Sequence, residues 1–338
     1  MNDIAVPGPK QQVLPVAANI FKAIVLLVLL MGSFWLAQWI FGSLSASTHF
    51  SNTTAFILKW FAVGVLAIID VMLLIGMGVL AHDAVHRVLF PSSFWNDLIG
   101  GILSALAFLP FYANRQFHLT HHSYAHQQGL DPEGDMHERP LIHAMTLGSI
   151  VALLLQLRYM FRNLLRIHQS RYTGRAIKDV LLMSGMVAFY FFALPAMGIS
   201  PLLTVVPVLV LFPPVFGVRA MSDHYGIPAT VRASAQAAET LDTDDQTALA
   251  LREQRQREVS GWVVLTSPWL AWLWSNVNYH EVHHKYPWLS YRYLPQVFDA
   301  TRTRHSYLVV NGYWRSLWYL RNRSYYCTPE EVAAFRAN

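Results

Sequence analysis

Residues 55–86 read AFILKWFAVGVLAIIDVMLLIGMGVLAHDAVH, and they combine an apolar segment with a pair of histidines. The apolar part, Ala55–Leu80, is long enough to cross about 30 Å of hydrocarbon. A segment that crosses a bilayer must be helical, because hydrocarbon offers its backbone no other hydrogen-bond partner. His82 and His86 follow at a spacing of four, so they share one face of a helix. The stretch predicts a membrane helix that presents two imidazoles at its end.

The composition of the whole chain also indicates a membrane protein. Of 338 residues, 54% are hydrophobic and 13% are charged, whereas soluble domains carry about a quarter charged residues. So apolar a chain is neither disordered nor an ordinary soluble enzyme. The single cysteine excludes an internal disulfide framework, a zinc ribbon and a cysteine-ligated iron–sulfur cluster. The informative excess is in the 15 histidines.

Four apolar stretches have the length of membrane helices. We expect them to form two hairpins, with crossings at Asn19–Phe41, Ala55–Leu80, Val180–Ile199 and Leu202–Val218. Three other apolar stretches are shorter or interrupted, and we interpret them as re-entrant or interfacial: Leu98–Phe111, Leu141–Leu157 and Gly261–Trp274. The predicted fold class is an all-α integral membrane protein with four transmembrane helices, re-entrant or interfacial helices and a histidine-rich cytoplasmic cap.

Basic residues predict the orientation of these helices. The loop Gly42–Thr54 contains no Lys or Arg, whereas Arg158–Lys178 contains six basic residues. Because basic loops stay on the cytoplasmic side, we expect both termini and the cap, residues 81–178 and 219–338, in the cytoplasm. The chemical motifs occur in both halves of the chain and must meet, so we predict a single domain over residues 1–338.

Histidines form three clusters: HDAVH at 82–86, HLTHH at 118–122 and HEVHH at 280–284. In the second and third clusters the first histidine shares a helical face with both later ones. Chance does not account for these repeated patterns, so we predict metal ligands at His82, His86, His118, His121, His122, His280, His283 and His284. Isolated histidines are usually polar surface residues, and we interpret six of them so: His49, His126, His137, His143, His168 and His305.

The number of ligands and their position indicate the metal. Eight imidazoles exceed what one ion binds, so we infer two ions, and imidazole suits zinc, copper, iron and nickel. A dinuclear zinc hydrolase would normally add carboxylate bridges and act on an aqueous substrate, whereas a di-iron site suits oxygen chemistry on a lipid. A bis-histidine haem would need ligands within the bilayer, but these clusters follow the ends of predicted spans.

If the first two histidine clusters share one metal site, the membrane topology of the segment between them is constrained. The first cluster follows the second span, on the cytoplasmic face, and the second cluster must lie on that same face to meet it. The stretch Leu98–Phe111 between them therefore cannot cross the membrane, which agrees with its short length.

At these residues the chain resembles the integral-membrane fatty acid desaturase superfamily, which includes desaturases, hydroxylases and carotenoid oxygenases. HDAVH is similar to the first histidine box of that superfamily, and HLTHH is similar to the second. Asp131-Pro132-Glu133 follows the second box and resembles the D-P-D of the family. The segment NVNYHEVHHKYPWLSYRYLP, residues 276–295, resembles the third box. The resemblance runs over most of Ala55–Pro295.

The resemblance implies a non-haem centre of two iron ions (Fe2+/Fe3+), with dioxygen as co-substrate and an external electron donor. It also implies a ninth ligand between the last span and the third box, where His224 stands. Asp83 and Glu281 adjoin predicted ligands, and we regard both as candidates to orient them. Glu281 stands one place earlier than the acid of many relatives, which leaves its role open.

The activity implied by the resemblance is oxidation of an unactivated C–H bond in a fatty acyl chain. No side chain can deprotonate such a bond, so a cofactor must supply the chemistry. We expect desaturation to an alkene, with fatty acid hydroxylation and alkene-forming decarboxylation as alternatives on the same scaffold. The substrate, a fatty acid or fatty acyl lipid, requires an apolar tunnel. Four aromatic residues either line it or lie at the membrane interface: Phe111, Tyr112, Trp272 and Trp274.

The chain contains no recognisable haem, flavin or iron–sulfur motif. We therefore expect electrons from a separate redox partner, a ferredoxin or a cytochrome with its reductase, for which the basic segment Arg158–Lys178 is a candidate docking site.

An alternative of another functional class is a histidine-rich metal transporter. A transporter should hold its ligands near the bilayer midplane on broken helices, whereas these clusters follow the ends of spans.

Overall fold

The structure is a computed structural model that describes residues 6–46, 51–126, 129–134, 139–225, 261–305 and 307–321. The chain forms two compact units. The helical unit comprises Leu14–Asn114 and Gln156–Phe216, and the histidine unit comprises Met1–Val13, Arg115–Leu155 and Gly217–Asn338. Whether they act as the single domain predicted above stays a prediction.

The described residues are mostly helical. In chain order the helices are α1 (Val16–Ala46), α2 (Asn52–Val85), α3 (Ser93–Leu106), α4 (Phe111–Tyr124), α5 (Leu141–Leu164), α6 (Ser170–Ala188), α7 (Val205–His224), α8 (Pro268–Leu273), α9 (His280–Lys285), α10 (Leu294–Thr301) and α11 (Tyr313–Leu320). Helix α6 continues through a π-helical turn, Phe189–Ala193, into a last short turn, Leu194–Ala196. A 3₁₀ turn, Tyr291–Tyr293, precedes α10.

Two short strands, β1 (Trp262–Leu265) and β2 (Leu308–Asn311), form a parallel pair. The expectation of an all-α chain was wrong on this point, since β1 occupies the start of the predicted interfacial stretch Gly261–Trp274. The remainder of that stretch contains the short helix α8. The β-branched pair Val263-Val264 favours a strand, and burial within the histidine unit stabilises it.

Five helices in the described part of the chain are long and apolar enough to cross a membrane: Val16–Ser45, Asn52–Val85, Leu141–Leu164, Ser170–Ala196 and Val205–His224. The four-span count is therefore not confirmed. The stretch Leu141–Leu157, predicted to be interfacial, belongs to a helix of 24 residues. Helices α3 and α4 form a pair bent by 96°, which fits either a broken span or a re-entrant loop.

Helix α2 ends sharply after its histidine pair. The N–H of Arg87 donates to the carbonyl of Ala84 (3.1 Å), and the N–H of Val88 donates to that of Asp83 (3.0 Å). These two bonds form a Schellman motif, in which Arg87 takes the left-handed conformation usually given to glycine (φ 65°). The guanidinium of Arg87 then pairs with Asp97 of α3. The chain thus turns back immediately beyond the first histidine cluster.

Close contacts fix α3 and the first four residues of α4, Phe111–Asn114, within the helical unit. A Cβ atom on Gly100 of α3 would lie 2.4 Å from Cβ of Ala84, so α3 crosses the end of α2 where only glycine fits. The carboxylate of Asp179 in α6 accepts the backbone N–H groups of Tyr112 and Ala113, both at 2.9 Å. An acidic acceptor at a helix N-terminus satisfies donors that have no partner within the helix.

The sheet of the histidine unit supports the segment that leads into α9. Val263 forms an antiparallel bridge with Tyr279. The N–H of Val264 donates to the carbonyl of Asn278 (2.8 Å), and the Asn278 amide donates to the Val264 carbonyl (2.9 Å). The core around this segment contains Val263, Val282, Tyr286, Leu289, Leu294, Val297, Phe298 and Tyr307. Helix α9 is therefore held by backbone hydrogen bonds and by a packed apolar face.

Helices α5 and α7 approach each other closely in the histidine unit. A Cβ atom built on Gly217 would lie 1.9 Å from the backbone oxygen of Met145, so the contact requires glycine. Helix α7 also contains Pro213 and Pro214, which cannot donate backbone hydrogen bonds. It ends at His224, and the indole of Trp262 donates to the next carbonyl, that of Tyr225 (3.1 Å).

Candidate metal centre

Seven of the predicted ligands lie in the histidine unit, on three helices. Helix α4 carries three of them, α9 carries three, and α7 ends in the last. In α4 and in α9 the i, i+3 and i+4 spacing brings the imidazoles of one cluster to one face, as the sequence predicts. All seven side chains are buried or partly buried: His118, His121, His122, His224, His280, His283 and His284.

One group of imidazoles consists of His118, His122 and His283. A ring nitrogen of each lies within 4.8 Å of the others. The Nε2 atoms of His122 and His283 are 3.1 Å apart, and the ring centroids of His118 and His122 are 4.5 Å apart. The second and third sequence clusters therefore meet in space.

A second group consists of His121, His224 and His284, again with ring nitrogens within 4.8 Å of one another. The Nε2 atoms of His121 and His224 are 3.1 Å apart. His280 adjoins this group, because its Nε2 atom lies 2.7 Å from that of His224 and 3.1 Å from that of His284. The position chosen for a ninth ligand, His224, thus lies among the imidazoles of both later clusters.

The spacing within these groups fits metal coordination. First-row metal ions bind imidazole nitrogen at about 2.1 Å, so two such ligands at right angles are about 3.0 Å apart. The distances between Nε2 atoms, 2.7–3.1 Å, match this separation. Burial, together with the neighbouring imidazoles, holds the pKa of His284 well below its usual value. Its neutral form is the one that coordinates a metal ion.

Asp131 orients His121, a contact that the sequence did not reveal. Its Oδ1 atom lies 2.9 Å from Nδ1 of His121, and its Oδ2 atom accepts the N–H of His126 (2.8 Å). Burial alone would raise the pKa of Asp131, but these hydrogen bonds, with one from the N–H of Glu133, hold it below its usual value. The sequence indicated Asp131 only as part of the motif Asp131-Pro132-Glu133, which follows the second histidine cluster.

His126 was wrongly interpreted as a surface residue. It is 4% exposed, and its ring centroid lies 5.3 Å from that of His224. Its backbone has a positive φ of 60° in the turn after α4, which directs the chain back towards Asp131. His126 follows His122 by four residues, and this spacing could have indicated that its side chain lies on the same side of the chain as the ligands.

A second acidic residue, Asp223, lies behind His280. Its Oδ2 atom is 2.6 Å from Nη2 of Arg219 and 3.7 Å from Nδ1 of His280. Asp223 and Arg219 therefore form an ion pair across one helical turn. The distance between Asp223 and His280 is too long for a hydrogen bond. Sequence reasoning missed Asp223, although it immediately precedes His224 and stands four residues after a basic one.

The two acidic residues that were predicted to orient ligands differ in their neighbours. Glu281 is fully buried, and its Oε1 atom lies 2.8 Å from Nζ of Lys285, one turn later in α9. Asp83 is also buried, with Oδ1 3.8 Å from Nδ1 of His82. That distance is too long for a hydrogen bond. Their roles in orienting ligands stay predictions.

The first histidine cluster lies in the helical unit. The rings of His82 and His86 lie edge to face at the end of α2, with centroids 4.9 Å apart and planes inclined by 62°. The spacing of four thus places both imidazoles on one face, as predicted.

The isolated histidines differ in their surroundings. His143 and His168 are exposed, as predicted. His305 is partly buried, and its Nε2 atom lies 3.0 Å from the hydroxyl of Tyr286, outside both imidazole groups. His49 and His137 lie outside the described residues.

Apolar helices and a buried cluster of imidazoles define a membrane protein with a metal-binding site. A family model, that of fatty acid desaturases, matches residues 58–314. The chain belongs to the fatty acid desaturase family, and the resemblance seen in the histidine boxes is confirmed. No curated protein matches the chain. Family and cluster together indicate a membrane-bound, iron-binding oxidoreductase of lipid metabolism that modifies fatty acids.

Proposed function

We propose that the protein uses two iron ions and dioxygen to oxidise an unactivated C–H bond of a fatty acyl chain, and that the product is an alkene. The observation that carries the proposal is the presence of two histidine groups with Nε2 separations of 2.7–3.1 Å. Membership of the desaturase family supplies the substrate class. Fatty acid hydroxylation and alkene-forming decarboxylation use the same scaffold and remain the alternatives.

The proposed ligands fall into two sets. His118, His122 and His283 form the first set, which His82 and His86 complete in our proposal. The second set contains His121, His224, His280 and His284. Support for the role of the α2 pair comes from its similarity to the first histidine box and from the shared face of its two rings. A ligand set of imidazoles alone also lacks the carboxylate bridges of a dinuclear zinc hydrolase.

Iron supplies the redox chemistry that no side chain can provide at an alkyl C–H bond. Neighbouring side chains hold the histidines in the tautomer that can bind a metal ion. The carboxylate of Asp131 accepts the proton on Nδ1 of His121, which leaves Nε2 available for a metal ion. The buried ion pair between Glu281 and Lys285 joins two successive turns of the short helix α9 and so stabilises it.

The proposal includes a redox partner and an orientation. Electrons come from a separate ferredoxin or cytochrome with its reductase, and Arg158–Lys178 offers a basic surface for an acidic carrier. Both termini and the metal centre face the cytoplasm, in line with the distribution of basic residues. A metal transporter is the competing function, and it predicts labile zinc in place of two tightly held iron ions.

The test is the lipid profile of cells that express the chain, measured by mass spectrometry that includes volatile products. A new double bond that disappears in His283→Ala and persists in His305→Ala supports desaturation. A new hydroxyl group or terminal alkene with the same dependence shifts the assignment to the corresponding alternative. Purified protein that contains labile zinc and no iron, with no new lipid, overturns the enzyme and favours the transporter.

A further inference from the structure

The segment before the first helix, residues 6–13, lies against the loop that follows the third histidine cluster, residues 286–293. We refer to residues 6–13 as the N-terminal strap. Both segments belong to the histidine unit, although 276–281 residues of sequence separate the groups that meet. Within the described part of the chain, five hydrogen bonds join them. Because ordering a chain segment costs conformational entropy, such a set of bonds is needed to give the strap a defined position.

Gln12 is the centre of this contact. Its Nε2 atom donates to the carbonyl of Trp288, and its Oε1 atom accepts the backbone N–H of Ser290 (2.9 Å). The amide of glutamine can do both because its nitrogen donates and its oxygen accepts. Ser290 is fully buried, so without Gln12 its N–H group would lose this partner away from water. One side chain of the strap therefore fixes two backbone groups of the loop.

Two further contacts hold the strap on either side of Gln12. On one side, the indole of Trp288 donates to the carbonyl of Pro7 (3.2 Å). On the other side, the hydroxyl of Tyr293 accepts the N–H of Val13 (3.0 Å) and donates to its carbonyl (3.1 Å). The strap is thus bonded to the loop at three successive points.

The loop held by the strap leads directly out of α9. At the end of α9, the N–H of Tyr286 donates to the carbonyl of Val282 (3.0 Å), and the carbonyl of Tyr286 accepts the N–H of Leu289 (3.0 Å). The side chains of Leu289 and Val282 belong to the same buried core. A displacement of Trp288 or Ser290 would therefore reach α9 both through the backbone and through packed side chains.

We propose that Gln12 is a positioning residue of the metal centre, which holds α9 and its three histidines in place through the loop that follows them. The inference rests on the proposed ligand sets, in which α9 contributes His283 to the first and His280 and His284 to the second. Loss of the Gln12 contact should therefore weaken the binding of both ions together. Gln12 lies outside residues 58–314, the part of the chain that the family model matches.

Two variants of Gln12 and two other glutamines provide a matched test. Gln12→Ala removes the whole side chain beyond Cβ, whereas Gln12→Met keeps its length but neither hydrogen bond. Gln11→Ala is the adjacent control, since the exposed side chain of Gln11 accepts the N–H of Gly8 within the strap (2.9 Å). Gln38→Ala is the control for general stability, because its Oε1 atom accepts the N–H of Ser200 (3.1 Å) in the helical unit.

The experiment follows the release of iron from the purified, iron-loaded full chain to ferrozine, a chromogenic chelator of Fe2+, after reduction with dithionite. We expect Gln12→Ala and Gln12→Met to release both ions about tenfold faster than wild type, which is the order expected when two hydrogen bonds are lost. Gln11→Ala should release iron at the wild-type rate. Gln38→Ala should lower Tm and still release iron at the wild-type rate.

Hydrogen–deuterium exchange, followed by mass spectrometry, provides a second readout that does not require iron. The peptide that contains Ser290 should exchange faster in both Gln12 variants than in wild type, because its N–H group has lost its acceptor. The same peptide should exchange at the wild-type rate in Gln11→Ala. Thermal unfolding establishes that each variant is folded. If neither Gln12 variant folds, Trp288→Phe removes the bond to Pro7 and takes their place, with a smaller acceleration of both rates.

The outcomes separate this inference from the proposed function. Iron-loaded wild type and Gln12→Ala that release iron at equal rates would overturn the inference alone, even if the loop exchanges faster in the variant. An equal acceleration of iron release in Gln38→Ala would also overturn it, because the effect would then reflect general stability. Wild type that binds no iron would overturn the proposed function, and the inference with it.

Discussion

The Nδ1 atom of His121 lies 2.9 Å from the Oδ1 atom of Asp131, and both side chains are almost completely buried. A carboxylate in this position accepts the Nδ1 proton and so selects the tautomer whose Nε2 atom can bind a metal. That Nε2 atom faces His224 at 3.1 Å. The orientation of one imidazole in the second group therefore depends on a residue outside the three histidine clusters.

Replacing Asp131 by asparagine should weaken metal binding. An amide can donate to Nδ1 as well as accept from it, so the tautomer of His121 is no longer selected. We expect a loss of about 10- to 100-fold in metal affinity or activity, the usual effect of removing such a partner. Iron per chain, measured by mass spectrometry of the purified protein, checks this. Asp299→Asn, at an exposed position, is the matched control, and wild-type iron content and activity in Asp131→Asn would contradict the assignment.

Alanine at either His121 or His283 should remove iron and activity. The two residues belong to different imidazole groups, so each substitution tests one proposed iron site. The membrane helices should stay folded, because neither side chain belongs to their apolar core, and circular dichroism should be close to that of wild type. His305→Ala is the control and should retain both ions. Full activity in either ligand variant would eliminate the di-iron assignment, and loss of iron in His305→Ala would show that the ligand set is misassigned.

Gly217→Ala should destabilise the protein, although alanine normally stabilises a helix by about 0.5–1 kcal/mol relative to glycine. The added methyl group would lie 1.9 Å from the oxygen of Met145, so α5 and α7 must separate. Overpacking of this kind costs about 1–3 kcal/mol. At Gly64, in α2, an added methyl group meets no atom within 4 Å, so Gly64→Ala should stabilise the protein as alanine normally does in a helix. Thermal unfolding of the two variants side by side is the measurement, and equal shifts in Tm would refute the close crossing.

Substitution of Asp179 should destabilise the start of α4. Its carboxylate accepts the N–H groups of both Tyr112 and Ala113. Loss of such a cap costs about 0.5–2 kcal/mol. Asp179→Ala should therefore lower Tm more than Asp179→Asn, which keeps one acceptor oxygen. The reverse order, or no change in either variant, would mean that the two hydrogen bonds contribute little to stability.

The part of the site that could be predicted from sequence is the part fixed by helical periodicity. His118, His121 and His122 share a face because of their spacing, and the same holds within α9. The proximity of Asp131 and Asp223 to histidines could not be predicted in this way. Their roles depend on how a turn and the end of α7 approach the histidines, and no local pattern encodes that approach.

The differences between the predicted and the observed fold have physical causes of the same kind. The pair Val263-Val264 was included in an apolar interfacial stretch, since a short apolar run does not distinguish strand from helix. Its strand partner, β2, lies far along the chain. Helix α5 is longer than the apolar stretch Leu141–Leu157, which was interpreted as re-entrant or interfacial, because it continues through Arg158 and Arg162 to Leu164. Hydropathy locates the apolar segment, but helix length also includes its polar continuation.

The pairing of β1 with β2 has a consequence for how the protein is made. Strand β1 holds Asn278 and Tyr279, which lead directly into the third histidine cluster. Its own parallel partner, Leu308–Asn311, is synthesised after all the histidines of that cluster. While the chain is still on the ribosome, these imidazoles therefore emerge before their support is complete.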